Sequence, residues 1–529
     1  MRSCSRNLYL AVPLALAAQL AYGQAGGLPA EISAREAADV QLQNGINAEA
    51  AARAAGDGQL QNNINAEAAT RSAADAGLRN SINDETAARA LGEARLQGNI
   101  DAEAAARAAG DASLRGSIES EAGARAAADT QLQTQIDQLR NSGGGSGGGT
   151  ATVDCGAGHT VSQALATGAT QINISGTCTE SLNVDRDGVT LHGEPGATIR
   201  GPDADVNTIN VRGNRVTIDG LTVTGGRNGI TGLGAANLSV RNCNAQSTGR
   251  TGIAYVNGSS GTVDGCMVQS NARDGIAVDG AQVTITNSTV TNNVRNGVLI
   301  VNGSTARVGL TDRNVAAGNA ITQNGATGVT VAQGSQSTIA MNTITDNGTN
   351  PNFPRQGVSV SLSAASISGG NTISRNAGQG VFAGTGATVL LGDLGPGLTT
   401  TVNTISSNGN SANPGGVFVF LGSTMVVRDA LIEQNNGPGL AYSTRSTGQL
   451  ISSTIRNNLN IGTNTGDGIR LILGSALLPA TPATTISGNA GFGVQCQGNQ
   501  SIAVNVFPGG PAISYSGNAL GDLTGTCNF

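Results

Sequence analysis

The sequence predicts a mainly β chain, a solenoid of stacked parallel coils, preceded by a long α-helical coiled-coil stalk. Three observations carry this: an 18-residue repeat over roughly residues 28–140, a second repeat of 22 or 23 residues through most of the chain beyond it, and glycine at 78 of 529 positions beside only 13 prolines and no tryptophan. Glycine without matching proline excludes collagen and proline-rich disorder, and 2% aromatic content is poor material for a compact enzyme core. Net charge is −6, and with no lysine in the chain every permanent side-chain cation is an arginine. Nothing here suits a general nucleic-acid binder.

Residues 1–23, MRSCSRNLYLAVPLALAAQLAYG, set Arg2 and Arg6 before a short apolar run that ends in small residues, the pattern of a secretory signal peptide cleaved near Gln24. No later stretch approaches the ~20 apolar residues of a membrane span. A secreted protein, extracellular or periplasmic, is expected, without a membrane span once the signal is removed. Loss of Cys4 with the signal leaves six cysteines, an even number suited to an oxidising compartment.

The stalk, residues 24–140, repeats leucine at 42, 60, 78, 96, 114 and 132 and isoleucine four positions later each time. Eighteen residues make ~5 helical turns, so the apolar stripe does not drift around the axis and a nearly straight bundle is expected. Glu49, Glu67, Glu85, Glu103 and Glu121 each precede an arginine by four positions, a spacing worth ~0.2–0.5 kcal/mol per pair. Glycines such as Gly45, Gly56, Gly92 and Gly110 each cost roughly 1 kcal/mol against alanine in a helix interior. A partner chain is needed to offset them, so the segment reads as a parallel homo-oligomer, with a trimer favoured. The alternative is a solitary helix that frays at its glycines. NSGGGSGGGT, residues 141–150, ends the stalk as a flexible linker.

In residues 151–529 the pair Gly-Ile or Gly-Val returns at Gly229, Gly252, Gly275, Gly297, Gly328, Gly357, Gly380, Gly416, Gly468 and Gly493. Between the pairs lie short alternating runs such as QVTITNSTVTNN, which predict β-strands broken by turns. One such unit cannot bury its apolar face alone; stacked units pair strand to strand and pile Ile, Val and Leu into one interior column. Asparagine three residues after Ile or Val, at Asn271, Asn293, Asn324, Asn347, Asn376, Asn408, Asn435 and Asn489, predicts a hydrogen-bonded ladder at a turn. Its tolerance of left-handed backbone angles, and that of the glycine shortly after it, are the expected conformational reasons for both.

The recurrent RDGIAV, RNGVLI, RQGVSV and GQGVFA coils, with ISRN and ITDN before turns, make residues 153–529 resemble the right-handed parallel β-helix repeat proteins of pectin lyase-like fold. That resemblance implies fold far more than function. It would call for an arginine or lysine base with an acidic calcium cluster in a lyase, or paired aspartates near a histidine in a hydrolase. Only His159 and His192 exist, both in the first coils. His192 and Glu194, with Asp185, Asp187, Asp203 and Asp205, could form a metal or acid cluster, although turn chemistry explains these aspartates equally well. No catalytic residue, cofactor or metal is assigned, and the balance leans away from an enzyme; if it is one, polysaccharide lyase is the expected class.

Cys155 with Cys178 and Cys496 with Cys527 flank the two ends of the solenoid and are paired as staples. Cys243 and Cys266 lie one repeat apart, within disulfide reach if coils stack, and are taken as a third bond with two buried free thiols as the alternative. Asp219, Arg241 and Asp264 form an outward row of alternating charge, whereas Arg227, Arg250, Arg273 and Arg295 form a row of like charge, with Arg355 as an extension. Stacked guanidiniums repel unless acids such as Asp274 neutralise them or an anionic ligand is gripped. The functional expectation is a structural or adhesive surface protein whose arginines bind an acidic polysaccharide or cell-surface glycan. Membrane anchoring through a C-terminal barrel is not expected, since no set of ~10-residue alternating spans comes after the coils.

Overall fold

The computed structural model describes residues 27–141, 148–392, 401–480, 482–497, 502–503 and 513–525. The expected signal peptide, the linker glycines 143–145 and 147, and Cys527 lie outside the described residues. The rest divides into two units, each taken by itself.

The first is one α-helix, Gly27–Asn141, of 115 residues. At 1.5 Å per residue it is about 170 Å long. Its apolar stripe is bare: Leu42, Leu60, Leu78 and Leu96 are 61 to 65% exposed. Intrahelical ion pairs form at Glu49–Arg53, Glu67–Arg71 and Glu103–Arg107, 2.7 to 2.9 Å apart. Among the described residues no helix is long and apolar enough to cross a membrane.

The second unit is a right-handed parallel β-helix. Each coil contributes one strand to each of three sheets, as in Ile253–Val256 (sheet C), Ser260–Asp264 (sheet A) and Met267–Gln269 (sheet B). The next coil repeats the order with Ile276–Asp279, Gln282–Thr286 and Thr289–Thr291. Among the described residues sheet A has 15 strands and sheets B and C have 14 each, every strand paired with its counterpart one coil away. Registers are in phase with the repeat: Ile253 lies opposite Ile276, and Ile276 opposite Val298. Alternation then sends one set of side chains inward, so that Val268, Val290, Ile321, Ile344, Ile373 and Ile405 form a fully buried column. Parallel strands need this crossover path, and right-handed crossovers are the sterically favoured ones.

The turn from sheet B to sheet C holds the asparagine ladder. Each Nδ2 donates to the Oδ1 of the asparagine one coil on, from Asn271 to Asn293 (2.9 Å), Asn324 to Asn347 (2.9 Å), Asn376 to Asn408 (3.0 Å) and so on to Asn518. Asn458 and Asn518 complete it beyond the positions read from sequence. The conformational reasons expected for this corner need correcting. Positive φ falls on the residue before the ladder asparagine, as at Ser270 (54°), Asn292 (56°) and Gln323 (56°), and not on the asparagine itself. The turn glycines are not left-handed either. A Cβ on Gly275 would lie 2.4 Å from Val290 Cγ1 and 2.7 Å from both Asn293 Nδ2 and the Gly297 carbonyl, so close packing selects glycine. Gly252, Gly275 and Gly297 do stack: Ile253 N donates to Gly275 O and Ile276 N to Gly297 O.

A second ladder occupies the turn from sheet A to sheet B, where Asn319, Asn342, Asn371 and Asn403 are linked by bonds of 2.9, 3.2 and 2.9 Å. Cys243, Cys266 and Ser288 occupy the same column in earlier coils, with Cys266 N donating to Ser288 Oγ. Here the expected third disulfide is absent: Cys243 and Cys266 are buried free thiols. Residues stacked in one column project in the same direction, so adjacent thiols lie side by side instead of meeting tip to tip. Each thiol donates to a carbonyl, Cys243 to Arg241 O (3.2 Å) and Cys266 to Asp264 O (3.4 Å). The neighbouring Cys266 thiol, then burial, hold the Cys243 thiol well above the usual thiol range.

At the N-terminal end of the stack a short helix, Val161–Ala166, lies over the open core and buries Val161 and Ala164. Thr160 and Gln163 form a capping box, and Glu180 accepts from Val161 N and Ser162 N. Cys155 and Cys178 are disulfide-bonded next to this lid. At the other end Cys496 is not a free thiol; Cys527, its expected partner, lies outside the described residues.

Candidate anion-binding site

The four arginines fall at one position of four consecutive coils, three residues before the first inward residue of each sheet C strand: Ile230, Ile253, Ile276 and Val298. Their backbones stack, with Arg273 N donating to Arg250 O and Arg295 N to Arg273 O, both at 2.8 Å. Strand spacing thus puts guanidinium-bearing residues ~4.8 Å apart along the corner. Loss of solvent, then the charges of Arg273 and Arg227, pull the Arg250 guanidinium below its ordinary value, with Asp274 acting the other way. It stays charged, as guanidiniums do in proteins.

Counter-charge is sparse. Asp274, whose side chain is 2% exposed, lies 3.9 Å from Arg273 Nε, beyond hydrogen-bond range. Its other oxygen is taken by Asn296 N and Nδ2 at 3.1 and 2.8 Å. Arg273 Nε is buried with no hydrogen-bond partner among the described residues. Among the described residues this is the one ion pair that the four arginines make. Arg355 occupies the equivalent position two coils beyond Arg295, but Ala326 stands between them, so the column is interrupted and Arg355 does not extend it directly. Over that gap a loop folds back: Phe353 lies against Arg295, its ring centroid 5.1 Å from the guanidinium carbon.

The acid and histidine residues around the first coils disperse into separate pairs. Asp185 pairs with Arg212 (3.2 Å), Asp187 accepts from Asn214 N (2.7 Å), and Asp203 closes an Asx turn on Asp205 N. His192 instead meets Asp219 one coil on, Nδ1 to Oδ2 at 3.1 Å, and Asp219 also holds Arg241 and Asn242. Burial opposes ionisation of Asp219, but hydrogen bonds from Asn242 and His192 with the charge of Arg241 hold its carboxyl below the ordinary value. Among the described residues no group of His, Cys, Asp and Glu is arranged to hold a metal ion.

One feature was not read from the sequence. The outer face of sheet A carries a cleft of about 450 Å³ lined by Gln282, Thr284, Arg307, Asp312, Gln336 and Thr338. A second recess of about 380 Å³ adjoins it through Gln282, Thr284 and Asp312. Thr284 donates to Asp312 (2.8 Å), Arg307 reaches Asn314, and Arg307 Nε has no partner among the described residues. Its only sequence signal is the outward threonine of successive strands, which any solvated sheet also shows.

A family model described as the right handed beta helix region matches residues 165–310. No curated protein matches the chain. Among solved structures it is similar to the A-module of the mannuronan C-5 epimerase AlgE4 of Azotobacter vinelandii, at 15% identity over 75% of this chain and 94% of that one, TM-score 0.36. The periplasmic alginate epimerase AlgG is similar at 11% identity, 66% and 77% coverage and TM-score 0.37, and the pectate lyase Pel9A at 14%, 54% and 79%, and 0.31. At these identities the likeness is one of fold.

Proposed function

We propose that the β-helix head binds an acidic polysaccharide or cell-envelope glycan through Arg227, Arg250, Arg273 and Arg295, as the non-catalytic attachment module of a secreted protein that self-associates through its stalk, with a trimer favoured. The observation that supports this reading is the column of four arginines on consecutive coils, which make a single ion pair, Arg273 with Asp274, among the described residues. Keeping like charges stacked is unfavourable without a counter-ion, and a linear polyanion supplies one at each step. The test is retention of the full chain on an immobilised polyuronate. Arg250→Ala with Arg273→Ala should elute at markedly lower salt than the wild type, with no product released; unchanged elution removes the reading.

The cleft on sheet A favours a second reading, a polysaccharide lyase. Arg307 could neutralise a uronate carboxylate and Asp312 could accept a proton. Incubation with polyuronates and calcium would then yield the ultraviolet absorbance of unsaturated ends, lost in Asp312→Asn; no absorbance across a broad substrate panel discards it.

A further inference from the structure

The outer face of sheet C carries a feature that neither reading uses. The chain has seven phenylalanines in 529 residues, and three of them, Phe382, Phe418 and Phe420, meet on this face from two adjacent coils. Phe418 and Phe420 stack with centroids 5.8 Å apart and 18° between planes, and Phe382 joins at 6.1 Å and 32°. All three are partly exposed, and Leu421, next in the chain, is 44% exposed. The platform is built into the backbone. Phe382 lies across Gly384 two residues on, where a Cβ would come within 2.5 Å of its ring, so only glycine lets the ring lie down on the sheet.

We infer that Phe382, Phe418 and Phe420 form a stacking platform for the pyranose rings of the same acidic glycan that the arginine column grips. This rests on the charge reading above and extends it. The two patches lie along one sheet: the arginines occupy the corner that leads into sheet C, and three strand steps, about 14 Å at strand spacing, separate the strand after Arg295 from that of Phe382. Five strand steps separate the coil after Arg273 from that of Phe418, about 24 Å at strand spacing. A polymer lying along the stack would have its carboxylates held at the corner and the C–H faces of its rings laid on the phenylalanines further along. Exposed aromatic rings lying on a sheet suit a ligand that is apolar on one face and polar at its edges, which describes a sugar ring. The charged corner beside them selects an acidic polymer over a neutral one.

The experiment uses the full chain with galacturonate and mannuronate oligomers of graded length. Phe418→Ala with Phe420→Ala should bind long oligomers roughly tenfold more weakly. In the wild-type complex, sugar ring protons should move upfield in the NMR spectrum. Phe418→Leu with Phe420→Leu, which keeps apolar bulk and therefore the fold, should abolish that shift. Wild-type affinity in the phenylalanine variants and an upfield shift that is missing from the wild-type complex or persists in Phe418→Leu with Phe420→Leu, with binding still lost in Arg250→Ala and Arg273→Ala, overturn the platform and leave the charge reading standing. Loss in the phenylalanine variants with unchanged binding in the arginine variants does the reverse. No binding by the wild-type chain to either oligomer series overturns both.

Discussion

Replacing Asn347 with alanine cuts the longer asparagine ladder near its middle, and the consequence can be worked bond by bond. Asn347 is 1% exposed. Its Oδ1 accepts from Asn324 N (3.1 Å) and Asn324 Nδ2 (2.9 Å), while its Nδ2 donates to Ile321 O (2.9 Å) and Asn376 Oδ1 (3.0 Å). After truncation Asn324 Nδ2 keeps Val290 O, and Asn376 Oδ1 keeps the backbone N–H of residue 347. Asn324 N–H keeps nothing. One orphaned buried donor costs about 1–3 kcal/mol, and the remaining lost bonds add about 1 kcal/mol, for a total near 3 kcal/mol. Stacked arrays pass damage chiefly to nearest neighbours, so the Asn324 amide should show the largest gain in hydrogen exchange. Guanidinium unfolding followed by circular dichroism should show a lowered midpoint. An unchanged midpoint together with an Asn324 amide as protected as before would refute the claim that the ladder holds this corner.

Other outcomes derive from the same geometry. Gly328→Ala would set a Cβ 2.6 Å from Ile344 Cγ2 and 2.7 Å from Gly357 O, and should cost about 1–3 kcal/mol in chemical denaturation although its φ is ordinary. Because the carboxyl of Asp219 is held below its ordinary value in the fold, its contribution is present above the unfolded value of about 3.9 and disappears as pH falls through the folded one. Asp219→Asn should therefore flatten the acid limb of a stability–pH profile below about pH 4. In the stalk, a methyl added at Gly110 would meet nothing within 4 Å, so Gly110→Ala should raise helix content by up to ~1 kcal/mol of helix stability. Helicity should also rise with protein concentration, and sedimentation showing a monomer at every concentration would refute the self-associating stalk. Cys243 and Cys266 should ignore a thiol reagent in the native state and react fully on unfolding.

Much of the fold was legible because a stacked coil repeats its demands at fixed sequence intervals. Three residues from an inward Ile or Val to a ladder asparagine is a distance set by one short strand and one turn, and Asn458 obeys it after Ile455. Asn518 comes after Tyr515 instead, so the same rule passes over it. The second ladder was hidden because its column also holds Cys243, Cys266 and Ser288, and chemistry that changes from coil to coil leaves no period to read. The arginine column was visible as a spacing, yet the break at Ala326 and the return of Phe353 to Arg295 belong to an inserted loop whose path no repeat dictates. Phe382 and Phe418 are 36 residues apart, and only the register of their strands makes them neighbours.

The ladder asparagines all point one way, every amide handing its hydrogen to the following coil. Ten carboxamides in line therefore add like batteries in series, leaving an electron-rich oxygen at one terminus and a surplus of hydrogen at the other. Both termini are dressed accordingly: Thr248 Oγ donates to the first oxygen at 2.9 Å, and the carboxylate of Asp522 receives the last hydrogen at 3.0 Å. Coils can be gained or lost from the interior of such a column without electrical consequence, whereas trimming either terminus would strip away the group that neutralises it.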